Sequence, residues 1–320
     1  MSNMRVVFLK SLLLVVWALG GAGAHGQEYP LKPVRIITTG AGGGNDIQTR
    51  LIAPAISGPL GQQVIVDNRG GTLLSAEAAS KVPADGYSLL YSGQTLWVLP
   101  LLQKVPFDIR DFAPISKIVR EVHIVTVHPS LPVKSVKDLI ALARSKPGQL
   151  NYGSSVPGSN GHLDGELFKS LSGVNIVWVP YKGTSQALTA QISGEVQLAF
   201  SNPSSVLPYI QSRKLRAIAV TSATPSALTP DLPTVAASGL PGYEAESING
   251  LFAPAKTPTA IINRLNQEIV RALSTTEMKE RFIKVAVEAV SSTPEQFAAA
   301  IKSDTTSMAK IIKDANIKIE

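Results

Sequence analysis

The sequence predicts an α/β protein built as two lobes, each carrying a mostly parallel sheet, with a cleft between them. Three observations carry this expectation. Segments of strand character alternate with segments of helical periodicity along the chain, which is the pattern of strand–helix–strand units. The alternation breaks twice, near 114–128 and near 247–258, and each break is a natural crossing between domains. Glycine- and serine-rich turns follow several strands, at the edge where open α/β sheets bind ligands.

Residues 1–26 have the layout of an export signal. Arg5 and Lys10 precede an apolar stretch, Ser11 to Leu19, and small residues end at Ala24-His25-Gly26. The apolar stretch is shorter than the ~20 residues of a membrane span. No cysteine is present to carry a lipid anchor. The remainder is long enough for two domains at ~150 residues each, with a core that needs no disulfide. The formal charge is +7, and Arg5 and Lys10 supply two of those charges. The basic residues are scattered and not interleaved with aromatics, which argues against nucleic-acid binding.

Strands are expected at 34–38, 63–67, 87–92, 114–119, 122–128, 149–153, 175–179, 196–200, 215–221, 247–253 and 286–290. Helices are expected between most of them. Ser135, Thr257 followed by Pro258, and Thr293 with Gln296 three residues on, mark helix starts. The two consecutive strands at 114–128 and the long Pro/Gly-rich loop at 223–243 set the crossings. Lobe I is then expected over 27–121 and 238–320, and lobe II over 122–237.

Several strand ends carry candidate chemistry. After strand 34–38, the run "TTGAGGGNDIQTR" places Gly42, Gly43, Gly44, Asn45 and Asp46 at a helix entry, where backbone N–H groups come close to an anion. The dinucleotide pattern G-x-G-x-x-G fails at its third glycine, and no P-loop occurs. A carboxylate or other oxyanion fits these residues best, beside a purely structural turn. Asp46 is placed to cap backbone N–H groups. In lobe II, "LNYGSSVPGSNGHLDGELF" repeats the arrangement with Ser154, Ser155, Gly158 and Ser159. Tyr181, Lys182 and Gly183, then Ser201 and Asn202, and Ser92 with Gly93, Gln94 and Thr95, occupy three further strand ends.

The enzyme readings are poorer. Gly153-Ser154-Ser155-Val156-Pro157 misses the last position of a nucleophile elbow. His162 near that loop is either a base or a helix-entry residue making a structural hydrogen bond. His123 and His128 fall in, or at the end of, a strand. Asp164 and Glu166 are two apart on a helix and face different ways. No His/Asp/Glu grouping has metal-ligand spacing. No catalytic residue, metal or cofactor is therefore expected.

The chain resembles the Bug receptors, the extracytoplasmic solute-binding proteins of tripartite tricarboxylate transporters. The likeness is carried by "YPLKPVRIITTGAGGGNDIQTR", "ADGYSLLYSG", "PFDIRDFAPIS", "LNYGSSVPGSNGHLDGELF", "VPYKGTSQAL", "LPTVAASGLPGYE" and "GLFAPAKTP" in that order. The resemblance implies a two-lobed periplasmic-binding-protein fold (type II-like) that closes on a carboxylate. Gly42, Gly43, Gly44, Asn45 and Asp46 would lie on one side and Ser154, Ser155, Gly158 and Ser159 on the other. Tyr181, Lys182, Gly183 and Asn202 are secondary candidates, and Ser92 completes the set. It also implies delivery of the ligand to integral-membrane permease subunits; the export signal points to the periplasm, and a monomer is expected. Where many members carry a Pro-Phe pair, this chain has Thr39-Gly40, which implies a roomier pocket or an atypical ligand. A secreted hydrolase using Ser154 or Ser155 with His162, and an orphan ligand sensor, are the alternatives.

Overall fold

The computed structural model describes residues 29–315 and 317; the expected export signal lies outside them. In chain order, β1 (Val34–Thr38), α1 (Gly44–Leu60), β2 (Val64–Asn68), α2 (Thr72–Ser80), β3 (Ser88–Gly93) and α3 (Thr95–Leu102) lead to the long strand β4 (Phe112–Val122). The middle of the chain forms β5 (Ile124–Val127), α4 (Val136–Ser145), β6 (Asn151–Ser154), α5 (Asn160–Ser172) and β7 (Val177–Pro180). It continues through α6 (Thr184–Ser193), β8 (Leu198–Ser201), α7 (Pro203–Gln211) and β9 (Arg216–Val220). The last part forms β10 (Glu246–Pro254), α8 (Thr259–Ser274), α9 (Thr276–Lys284), β11 (Glu288–Ala289) and α10 (Pro294–Asp314). Each expected strand therefore appears, most within two residues of its expected ends.

Two sheets result, of order β11-β4-β10-β3-β1-β2 and β7-β6-β8-β5-β9. They are mixed, a correction to the mostly parallel sheets that the alternation predicts. β1 runs parallel to β2 and β3, but β10 is antiparallel to both β3 and β4. β6 runs parallel to β7 and β8, but β5 is antiparallel to β8 and β9. The cause is the way the chain changes sheet. β4 passes through the single residue His123 into β5 without a helical crossover. β5 thus enters the second sheet at the end where β8 finishes, with Ile124 opposite Ser201, and must run the other way. β10 re-enters the first sheet likewise, with Asn249 opposite Gly93 at the end of β3.

Burial on both faces holds the first sheet. Successive residues of a strand point to opposite faces. Ile36, Leu89 and Leu251 accordingly pack with α1 and α8, and Ile37, Leu90 and Phe252 with α3 and α10. Leu265, Ile269 and Leu273 form the buried stripe of α8 at helical spacing. Gly250 in β10 permits this packing: a Cβ there would fall 2.5 Å from the Phe297 ring of α10. The second sheet has its own core around Val125, Tyr152, Phe168, Leu198 and Phe200. Leu240, Tyr243 and Ala245 join it, although the expected boundary puts residues from 238 in lobe I.

The helix starts follow their signals with one exception. Ser135 Oγ accepts from the Asp138 N–H of α4, and Thr293 and Gln296 form a reciprocal capping box on α10. Thr257 does not cap α8: Pro258 is the N-cap residue, and the Thr257 hydroxyl is buried without a partner. The proline after it fixes the entry backbone without a side-chain hydrogen bond.

Candidate functional site

The C-terminal ends of β1, β3, β6, β7 and β8 carry the candidate residues. In the turn from β1 to α1, Gly42 has φ +80°, which favours glycine. Its N–H donates to Asp46 Oδ2 at 2.8 Å. The other carboxylate oxygen accepts from Arg50 Nε at 2.9 Å and from Asn68 Nδ2 at 2.8 Å. Burial alone would raise the Asp46 pKa, but Gly42, Asn68 and Arg50 together hold it below the ordinary carboxyl range. Gly43, the N-cap residue of α1, offers no side-chain cap. The first N–H groups of α1 therefore have no partner inside the helix.

Asn45 faces the sheet edge. Its Oδ1 lies 3.3 Å from Asn249 Nδ2, which also donates to Gln48 Oε1 at 2.8 Å. Tyr91 donates to the same Gln48 oxygen, and Gln48 Nε2 donates to Glu121 Oε1, both at 2.7 Å. The glycine loop thus rests on a polar network spanning α1, β3, β4 and β10. Asn249, Gln48 and Glu121 are absent from the sequence-based set; the only signal is Asn249 as a polar residue inside the apolar run of β10.

In the second sheet, β6 ends at Ser154 and α5 begins at Asn160. Ser159 and Asn202 are the N-cap residues of α5 and α7, and neither makes a side-chain cap hydrogen bond. A cavity of about 160 Å³ is lined by Ser154, Ser155, Ser159 and Asn202 of the expected set, together with Asn160, Ser201 and Thr184. Gly158 lines a neighbouring cavity of about 250 Å³ between α3 and the β6–α5 loop. Gly183 is the N-cap residue of α6, next to Thr184. The Tyr181 hydroxyl donates to Glu195 Oε1 at 2.8 Å, and Lys182 is exposed. Ser92 is fully buried within β3, its hydroxyl without a partner. The two lobes touch where Asn160 Nδ2 donates to Ser247 Oγ at 2.8 Å, and Ser247 donates to Gln94 Oε1 at 3.0 Å. A larger groove of about 590 Å³ runs along α10; it is mainly apolar and lies away from these strand ends.

The serines and His162 do not form a nucleophile–base pair. Ser154 Oγ accepts from Trp178 Nε1 at 2.8 Å. His162 Nδ1 accepts from the Gly158 N–H at 3.1 Å, and its ring stacks on Trp178 with centroids 3.7 Å apart. Burial lowers the His162 pKa to about 4. This is the helix-entry role, and the hydrolase alternative is not favoured. Asp164 and Glu166 do face apart: Asp164 meets His123, and Glu166 meets Tyr152 and Lys169.

Residues 48–317 match the model of the tripartite tricarboxylate transporter family receptor, TctC. The chain belongs to this family. BugT of Bordetella pertussis is 30% identical to it over 326 residues, covering 99% of this chain and 100% of BugT. Among solved structures, R. palustris Rpa4515 with adipate is 34% identical, with a TM-score of 0.73, covering 91% of this chain and 99% of that one. A TctC solute-binding protein from Polaromonas is 22% identical and superposes with a TM-score of 0.82, covering 89% and 99%; it speaks to the two-lobed fold alone. The family identifies the molecule as a periplasmic solute receptor of the tripartite tricarboxylate type.

Proposed function

We propose that this TctC receptor captures a small organic carboxylate between its lobes and delivers it to integral-membrane permease subunits, without chemical conversion of the ligand. The observation that carries the reading is that the starts of α5 and α7, neither with a side-chain cap, line one cavity at the ends of β6 and β8, while the likewise uncapped start of α1 follows β1 in the other lobe. Such helix ends present N–H donors and a positive dipole to an anion. Ser154, Ser155, Ser159 and Asn202 add side-chain donors on the lobe II side. Gly42, Gly43, Gly44 and Asn45 supply close-approach backbone on the other, with Asp46 as the residue that holds their loop. Gly158 completes the β6–α5 loop. Tyr181, Lys182 and Gly183 border the site, and Ser92 lies under it. The 34% identical Rpa4515 with adipate supports a carboxylate as the ligand class.

Lobe I is read as β1–β4 with β10, β11 and their helices, and lobe II as β5–β9 with the segment up to Ala245. Export by residues 1–26 would put the receptor in the periplasm as a monomer. The deciding experiment is native mass spectrometry of the freshly purified mature protein, followed by calorimetry with adipate and a carboxylate panel. A carboxylate adduct or micromolar binding is expected. A phosphate-bearing adduct, or turnover of an ester, would overturn the reading.

A further inference from the structure

The single residue between β4 and β5 carries a charge-bearing side chain that the site described above does not use. His123 is 2% exposed. Its backbone N–H donates to Thr221 Oγ1 at 2.9 Å, and its carbonyl accepts from the Thr221 N–H at 2.9 Å. Its Nδ1 lies 2.6 Å from Asp164 Oδ2, itself buried on α5. Nδ1 therefore carries a proton and donates it to the carboxylate. The other ring nitrogen, Nε2, is buried and has no hydrogen-bond partner. The register of β5 on β8, with Ile124 opposite Ser201, puts Asn202 across from His123, and the Asn202 side chain acts on the ring as a neighbouring acceptor. Asn202 is exposed, lines the 160 Å³ cavity and makes no cap hydrogen bond with its side chain. Two polar groups with unused capacity thus meet at the cavity's edge, one of them oriented from behind by a carboxylate.

We propose that Asp164, His123 and Asn202 form a relay whose protonation decides which end of the Asn202 amide faces the bound anion. With the ring doubly protonated, Nε2–H donates to Asn202 Oδ1, and the amide presents Nδ2–H to the ligand carboxylate. With the ring neutral, Asp164 keeps the proton on Nδ1 and Nε2 becomes an acceptor. The amide then turns its Nδ2–H towards Nε2 and its Oδ1 towards the ligand, where oxygen faces oxygen. His123 is a positioning residue that acts through Asn202. This rests on the carboxylate reading of the site.

The charged groups facing the ring are Asp164 from α5 and Glu121 from β4. Thr221, the residue after β9, bonds the His123 backbone with its hydroxyl, and Tyr243, from the segment before β10, donates to the Asp164 carbonyl. Burial would lower the His123 pKa, but Asp164, Glu121 and Asn202 raise it above the ordinary histidine value. The donor-facing state therefore holds below the raised value and is lost as the pH rises through it.

The test is calorimetric titration of the mature protein with adipate from pH 6 to 9.5. Both adipate carboxyls are ionised at and above neutral pH, because carboxyl groups titrate well below it. Affinity should fall by about tenfold or more on the alkaline side, as for loss of a hydrogen bond to a charged group. Asn202→Ala, at an exposed position, should bind more weakly at neutral pH and show a flat profile, and His123→Gln should also flatten it. Nitrogen-15 NMR of the wild-type imidazole should show Nε2 losing its proton over the same pH range. A flat wild-type profile, or an Nε2 titration that leaves affinity unmoved, overturns the relay alone. If wild-type protein binds no member of a panel of mono- and dicarboxylates, the carboxylate reading fails and the relay falls with it.

Discussion

Asp46 spends both carboxylate oxygens on its own loop, so its substitution acts on binding through geometry. Asp46→Ala frees Gly42, Asn68 and Arg50 at once, and affinity for a carboxylate ligand measured by calorimetry should drop by about tenfold. Unchanged affinity would detach the glycine loop from the site. The folded pKa of Asp46 is lowered, so its contribution to stability is complete above the ordinary carboxyl pKa and is lost as the pH falls through the folded value. The alanine variant should show a shallower acid limb in a plot of melting temperature against pH. His162 behaves in the same sense from a different start. Its pKa is lowered to about 4 by burial, so proton NMR should place its titration near there, and stability should fall as the pH drops from the ordinary histidine value towards 4. A midpoint near 6.5 would mean that the ring is not stacked and buried against Trp178. At this scale the sequence was legible where a residue type has one local use. Asp46 at a glycine turn and Thr293 before Pro294 are such cases. It was silent on Asn249, Gln48 and Glu121, whose partners sit on strands and helices distant in sequence.

The helices and strands were legible from period and punctuation. The alternation of buried faces and the glycines that end α1, α5 and α6 are local signals. Strand direction was not legible, because it depends on which sheet a strand joins. The expectation of mostly parallel sheets treats every connection as a helical crossover, and β4–β5 has none. Two element-level outcomes follow. Thr293→Ala removes the hydroxyl that accepts from the Gln296 N–H but keeps the residue 293 N–H that donates to Gln296 Oε1; it should cost about 1 kcal/mol, read as a small drop in the urea midpoint without a change in slope. Gly250→Val pushes β10 away from Phe297 and from the Ser116 carbonyl, each 2.5 Å from the new Cβ. It should cost roughly 1–3 kcal/mol or more, with α10 as the first element to lose hydrogen-exchange protection. Full protection of α10 in that variant would show that the sheet yields instead.

At the scale of the whole molecule, two sheets share two neighbouring crossings, and the lobes meet through Asn160, Ser247 and Gln94. A ligand that binds only the folded, closed form raises stability by mass action. A carboxylate ligand at about 100 times its Kd should add roughly 2.7 kcal/mol and reduce the radius of gyration in solution scattering; stabilisation without compaction would mean that binding occurs within one lobe. The place of β10 in the sheet order has a consequence for how the chain comes to be folded. β3 and β4 are joined only through β10, which lies between them, and β10 follows the whole of β5–β9 in sequence. Lobe I is therefore topologically open during synthesis, while lobe II is a continuous segment able to close on itself. Long-range pairing of this kind is slow to form. In pulse-labelled refolding, amides of β5–β9 should gain protection before those of β1 and β3. A chain threaded through a membrane in extended form would thus keep its first lobe unfinished until the last third of its sequence has arrived.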